Sequence, residues 1–175
     1  MWPACRAEEE HHWLLHAAAE SRKDKVFGPS GVSHATLDHP DNSALAYYFP
    51  SADDGWDSGN LEAVSGGAGW HLSINDLLKV MSTFRRKGTI MKKDKAEKLL
   101  DNKFGVSKNS TSAGMLYVKN GLWRKGTELA AHVEQCVAYF LPEDMEMAVF
   151  VNSYVGLPPK SLEGLVTDIY EDHLK

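Results

Sequence analysis

The triplet Lys119-Asn120-Gly121, inside LYVKNGLWRKG (residues 116–126), holds the residue types of an anion-binding corner. A lysine supplies a fixed positive charge, an amide donates a hydrogen bond, and a glycine lets a ligand lie against bare backbone. Apolar Met115, Leu116, Tyr117 and Val118 lead into the triplet, and Trp123 follows it. The triplet is therefore expected at a strand end, with Tyr117 and Trp123 as walls of a cleft. The plainer alternative is an exposed lysine before a turn. His132, at the start of the next apolar run, is read as structural.

Two further groups could do chemistry. Glu8, His12 and His16 share one helix face at i, i+4 and i+8, a spacing that can hold zinc, but no further ligand accompanies them. They are weak metal candidates. Ser65 lies in SGGAG, a glycine-rich turn, but outside the Gly-x-Ser-x-Gly pattern of an exposed nucleophile. No serine has a lysine three positions on: Ser21 leads to Asp24, Ser30 to Ser33 and Ser107 to Ser110.

These residues need elements to hold them. Residues 8–26 predict a helix, acidic at the front and basic at the back as the helix dipole prefers. Gly-Pro and Ser-Gly breakers end it, and residues 38–69 read as loop around the short apolar patch ALAYYF. A loop this long in a compact domain is usually functional. Ser73 or Asn75 then caps a helix whose apolar face is Leu77, Leu78, Met81 and Phe84, closed by Gly88. KKDKAEKLLDN forms a shorter helix.

The character changes after that. AGMLYVKN, AAHVEQCVAYFLP and MEMAVFVNSYV read as strands, with RKG and PED as turns. Connections this short favour antiparallel hairpins. A last helix carries Leu162, Leu165, Ile169 and Tyr170 on one side. The fold class is α+β: one domain over 1–175, with a helix-and-loop region at 1–70, helices at 73–100, antiparallel strands at 113–153 and the C-terminal helix at 160–174 packed on the sheet. Val137, Tyr139, Leu141, Val149 and Val151 are expected beneath that helix.

Composition narrows the function classes. The 175 residues are 43% hydrophobic and 25% charged, ordinary for a globular domain with a real core. The net charge of −5 argues against nucleic acid, which calls for a basic face. No apolar run approaches the ~20 residues that span a bilayer, and the start lacks the pattern of a secretory signal. Cys5 and Cys136 are too few for a disulfide framework and are read as free thiols, which suits a cytoplasmic location.

Four passages in order carry a resemblance: KVFGPSGVSHATL, SGGAGWHLSINDLLKVM, YVKNGLW and HVEQCVAYFLPEDMEMAVFVNS. Together, over about residues 20–175, they resemble the C-terminal half of the serine β-lactamase-related proteins, which include class C β-lactamases, penicillin-binding D-Ala-D-Ala peptidases and related esterases. The resemblance implies the β-lactamase/transpeptidase-like fold and acyl transfer on an ester or amide carbonyl, without a cofactor. It implies that Lys119 is the catalytic cation beside a substrate carboxylate or the proton shuttle. Asn120, Gly121, Trp123 and Tyr117 would then bind substrate. Two departures stand out. The family's Ser-x-x-Lys and Tyr-x-Asn motifs are missing, Ser73-Ile74-Asn75 being a helix cap, and Asn120 replaces the usual hydroxyl of the Lys-(Thr/Ser)-Gly motif.

Three functional readings follow. The first is a hydrolase of this family, incomplete as a stand-alone catalyst because the nucleophile motif is missing. The second is a catalytically inactive binding or assembly module of the same fold. The third is a metal-dependent hydrolase built on the N-terminal histidines. The expected partners are a small ester or amide substrate and a second copy or complementing chain that covers the sheet's open edge and apolar face.

Overall fold

The structure, a computed structural model, describes residues 19–38, 45–47, 54–65, 67–112, 114–127, 130–153 and 162–173. Glu8, His12, His16 and Cys5 lie outside the described residues, as does most of the helix expected at 8–26; its described part is helical from residue 19 and continues as a π-helix, Lys23–Phe27.

Four strands form one antiparallel sheet in sequence order: β1 (Ser107–Thr111), β2 (Gly114–Thr127), β3 (Ala130–Phe140) and β4 (Glu146–Val151). The α+β reading, the antiparallel sheet and the C-terminal helix are all present. β1 was not expected, because Ser-Lys-Asn-Ser-Thr is polar throughout and has no apolar alternation. It is an edge strand that covers β2 only from Gly114 to Val118.

The strand end expected at Lys119-Asn120-Gly121 is a correction. β2 runs straight through the triplet and through Arg124-Lys125-Gly126, whose composition is that of a turn. Every residue of this stretch has a partner on β3: Lys119 faces Ala138, Gly121 faces Cys136, and Lys125 faces His132. Ladder pairing over this length outweighs local turn chemistry. The PED turn between β3 and β4 is present as a 3-10 turn at Pro142–Asp144.

The two faces of the sheet are covered differently. On one, helix α3 (Leu162–His173) packs Leu162, Val166 and Tyr170 on Leu116, Val118, Val137, Tyr139 and Leu141, with Val149 and Val151 alongside. The Tyr139 hydroxyl donates to Glu163 O at 2.8 Å and ties the helix down. The buried stripe is thus 162/166/170, spaced by four. Leu165 and Ile169 are corrected to the solvent side, Ile169 being 45% exposed.

On the other face, helices α1 (Ile74–Ser82) and α2 (Lys93–Asp101) cover one end of the strands. Ser73 is the cap: its Oγ accepts from Asp76 N at 3.1 Å and donates to Asp76 Oδ2 at 2.9 Å. Leu77, Leu78, Met81 and Phe84 meet Leu100, Ala138, Phe140 and Tyr117, as the spacing predicted. A π-helical turn, Thr83–Lys87, continues α1, and Gly88 at φ 69° closes it. The far end of this face is left for the loops. Tyr47 bridges to Val133 and Ser153, Ala46 to Trp56, and Thr36 to His71, which stitches parts of the long loop region to the sheet and to one another. No helix among the described residues is long and apolar enough to cross a membrane.

Candidate functional site

Side chains on a strand alternate between faces, so Tyr117, Lys119, Gly121 and Trp123 share the face opposite α3. Cys136 and Glu134 on β3 face Gly121 and Trp123 directly, and Phe150 on β4 faces Cys136. From Lys119 onward these residues leave the cover of α1 and α2 and floor a cavity of about 660 Å³, a size suited to a small molecule. The π-helix supplies Val26 and Phe27 to one wall, with Arg22 just before it. The turn after the 3-10 segment Glu62–Val64 supplies Ser65, Trp70 and His71.

The wall is built by close packing at a tight turn. Gly69 has φ +86°, and a Cβ there would lie 2.5 Å from Leu61 Cβ, so only glycine lets the chain turn back over Leu61. Trp70 then meets Phe27 edge-on, with ring centroids 4.8 Å apart. The Trp70 indole N–H donates to Ser65 O at 3.1 Å, and Ser65 N–H donates to Glu62 O at 3.1 Å.

Lys119 projects into this cavity, and among the described residues its ammonium has no ion-pair or hydrogen-bond partner. Cys136 is a free thiol at the floor. Burial pushes the thiol up from its ordinary pKa, against a hydrogen bond to the Gly121 backbone and the charge of Lys119, both of which pull it down. A Cβ on Gly121 would stand 3.1 Å from the Cys136 sulfur, so glycine lets the two strands and the thiol coexist here. Ser58 Oγ donates to Glu134 Oε2 at 3.5 Å across the rim.

Of the residues picked out by sequence, Lys119, Gly121 and Trp123 come together at the cavity. Asn120 borders it, but its side-chain amide is on the opposite face, donating to Glu163 Oε2 on α3 at 2.9 Å. Tyr117 does not reach the cavity. Its hydroxyl donates to Asp101 Oδ1 at 2.6 Å under α2, and Lys108 binds the same oxygen at 2.7 Å. Those two partners, Lys108 foremost, hold the Asp101 carboxyl below its ordinary pKa. His132 pairs with Lys125 further along the ladder and does not line the cavity. Ser65, noted only for its turn, does line it.

Cys136, Glu134, Phe150, Phe27 and Trp70 were missed as site residues. The alternation of β3 and β4 was a signal for the first three once the ladder register is known; nothing in local spacing points to the other two. Among the described residues no group of three or more His, Cys, Asp or Glu is placed to hold a metal ion. No family model, no curated protein and no solved structure matches the chain.

Proposed function

We propose that the chain carries the substrate-binding part of a β-lactamase-related serine hydrolase-like fold and takes a small ester or amide bearing a carboxylate. The observation that carries this reading is the Lys119 ammonium, without a partner among the described residues, beside Gly121 in an aromatic-walled cavity. A carboxylate is its natural counter-ion, and the ammonium gains most where water is partly excluded. The ladder adds a second support. Among the described residues no strand pairs with β2 beyond Val118 on the β1 side, so the backbone at Lys119–Gly121 is open to an extended substrate.

In this reading the chain binds and orients a carbonyl compound and does not acylate itself. It has no Ser-x-x-Lys, and acyl transfer needs a nucleophile with a base beside it. The second reading, an inactive binding or assembly module of the same fold, is favoured by Asn120, whose amide is committed to Glu163 where the family motif has a hydroxyl.

Intact-mass spectrometry after incubation with a fluorophosphonate or with benzylpenicillin, paired with calorimetric titration of benzylpenicillin, tests both. Reversible binding that is lost in Lys119→Met, with no covalent adduct, is the expected result. An adduct on a serine would replace this reading with autonomous hydrolysis. Absence of binding by folded protein would remove the carboxylate-binding cleft altogether.

A further inference from the structure

The chain's net charge of −5 conceals a segregation. Residues 85–108 hold nine Lys and Arg against three Asp and Glu, a net of +6, which leaves −11 on all other residues. Part of that positive charge is neutralised inside the fold. Arg85 and Lys93 reach Asp144, Arg86 reaches Glu146, Lys93 also nears Glu97, and Lys108 binds Asp101. Lys87, Lys92, Lys95, Lys98 and Lys103 are exposed and have no ion-pair partner among the described residues. Lys95 and Lys98 lie one turn apart on α2, away from its buried Ala96 and Leu100.

The end of α2 adds an apolar tip to these charges. The Lys103 N–H donates to Leu100 O at 2.9 Å and the Phe104 N–H to Leu99 O at 3.0 Å. This closes the helix with Lys103 at φ 58°, a left-handed conformation that favours glycine. In such a closure the next residue commonly folds back on the helix, yet Phe104 is 70% exposed, the most open of the large apolar side chains described. A turn strained at a lysine thus holds an aromatic ring in water, at the end of the helix that carries Lys95 and Lys98.

We propose that this corner docks on an anionic lipid surface. Phe104 enters the headgroup boundary, and Lys95, Lys98 and Lys103 meet the lipid phosphates and carboxylates. The ring gains by leaving water, and the lysines gain from the negative surface potential. Their long stems let each ammonium stay at headgroup level while the ring goes deeper. Duplex DNA suits the corner less. The segment's two arginines, whose planar forks suit phosphate and base edges, are both in ion pairs, and a single ring is no stacking platform. None of these residues lines the Lys119 cavity.

Co-sedimentation of the full chain with lipid vesicles is the test. Binding is expected to phosphatidylcholine vesicles containing about 30% phosphatidylserine, not to phosphatidylcholine alone, and it should fall steeply between about 0.1 and about 0.5 M salt. Phe104→Ser should weaken it about tenfold, the low end for burying the ring. Lys95→Gln, Lys98→Gln and Lys103→Gln should each weaken it about fivefold. Lys103→Gly separates docking from folding: it should raise the melting temperature by relieving the left-handed strain, yet weaken vesicle binding as Lys103→Gln does.

Failure of the folded protein to sediment with the anionic vesicles overturns the docking surface. Equal binding to neutral vesicles does the same, as does anionic binding that Phe104→Ser and the lysine substitutions leave unchanged, since another face would then make the contact. Duplex DNA is the last arm, read by fluorescence anisotropy. Tight DNA binding that Lys95→Gln weakens and Phe104→Ser does not would reassign the corner to nucleic acid and overturn the lipid surface.

Discussion

Gly121 stands directly across the β2–β3 ladder from Cys136, and a methyl group placed on it would lie 3.1 Å from the sulfur. The two residues share the floor of the cavity, so the packing of a strand pair and the shape of a binding site are set at one point. Gly121→Ala should crowd the thiol and destabilise the fold by about 1 kcal/mol, the low end for overpacking, since Cys136 is a side chain that can give way. Gly121→Ala combined with Cys136→Ala should recover most of that loss. Urea denaturation of the four proteins measures the coupling; simple additivity would mean that the sulfur is not what the methyl group meets.

The Cys136 thiol is held protonated by burial, so it should alkylate slowly at neutral pH and faster only as pH rises past 9.0, its ordinary value. Lys119→Met removes a charge that pulls the thiol down and should slow alkylation further. In a Cys5→Ser background, iodoacetamide labelling followed by mass against pH reads both effects. The linkage has a defined sign. A folded-state pKa raised above the unfolded value gives a contribution fully present below the unfolded pKa and lost as pH rises through the folded one. The protein should therefore lose stability on the alkaline side through this group, and Cys136→Ala should flatten that loss.

Helix α3 offers a contrast between two neighbouring positions. Tyr170 is 1% exposed and Ile169 is 45% exposed. Tyr170→Ala should cost about 3–5 kcal/mol, as large-to-small changes of buried aromatics do, whereas Ile169→Ala should stay within about 0.5 kcal/mol. Equal losses would mean that α3 is rotated from the orientation described above.

Ser73→Ala should cost about 1 kcal/mol through loss of the cap bond to Asp76 N, and Ser73→Asp should retain most of it. Far-UV circular dichroism during thermal melting follows the change. A Ser73→Ala protein indistinguishable from wild type would show that the cap contributes nothing net.

How much of this was legible in the sequence depends on whether the signal was local. Helix α1 was readable because Ser73, the 77/78/81/84 spacing and Gly88 each act within a few residues of one another. β3 and β4 were readable from their apolar runs and the Pro142–Asp144 turn. β1 was not, since a polar edge strand is specified by its partner and not by its own pattern. The length of β2 was hidden for the same reason: Lys-Asn-Gly and Arg-Lys-Gly have turn composition, and only β3 holds them extended.

The site divides along the same line. Lys119, Gly121 and Trp123 follow from strand alternation, and that rule also sends Asn120 to the other face, where Glu163 takes it. Tyr117 obeys the alternation too, yet α2 reaches its end of the strand first. The opposing wall, Phe27 against Trp70 with Ser65 behind, joins segments far apart in the chain, and no local pattern announces it.

The half-paired strand β2 has a consequence for association between copies. From Lys119 to Thr127 it carries three cations, Lys119 and Lys125 on the cavity face and Arg124 on the other, along a stretch that β1 does not cover. Two such edges laid against each other antiparallel would bring like charges into register, which is how many sheet proteins keep open edges from sticking together. The repulsion is softened by salt, since screening shortens to about 3 Å at 1 M. Charge thus enters any pairing of two such edges as a repulsion that salt relieves.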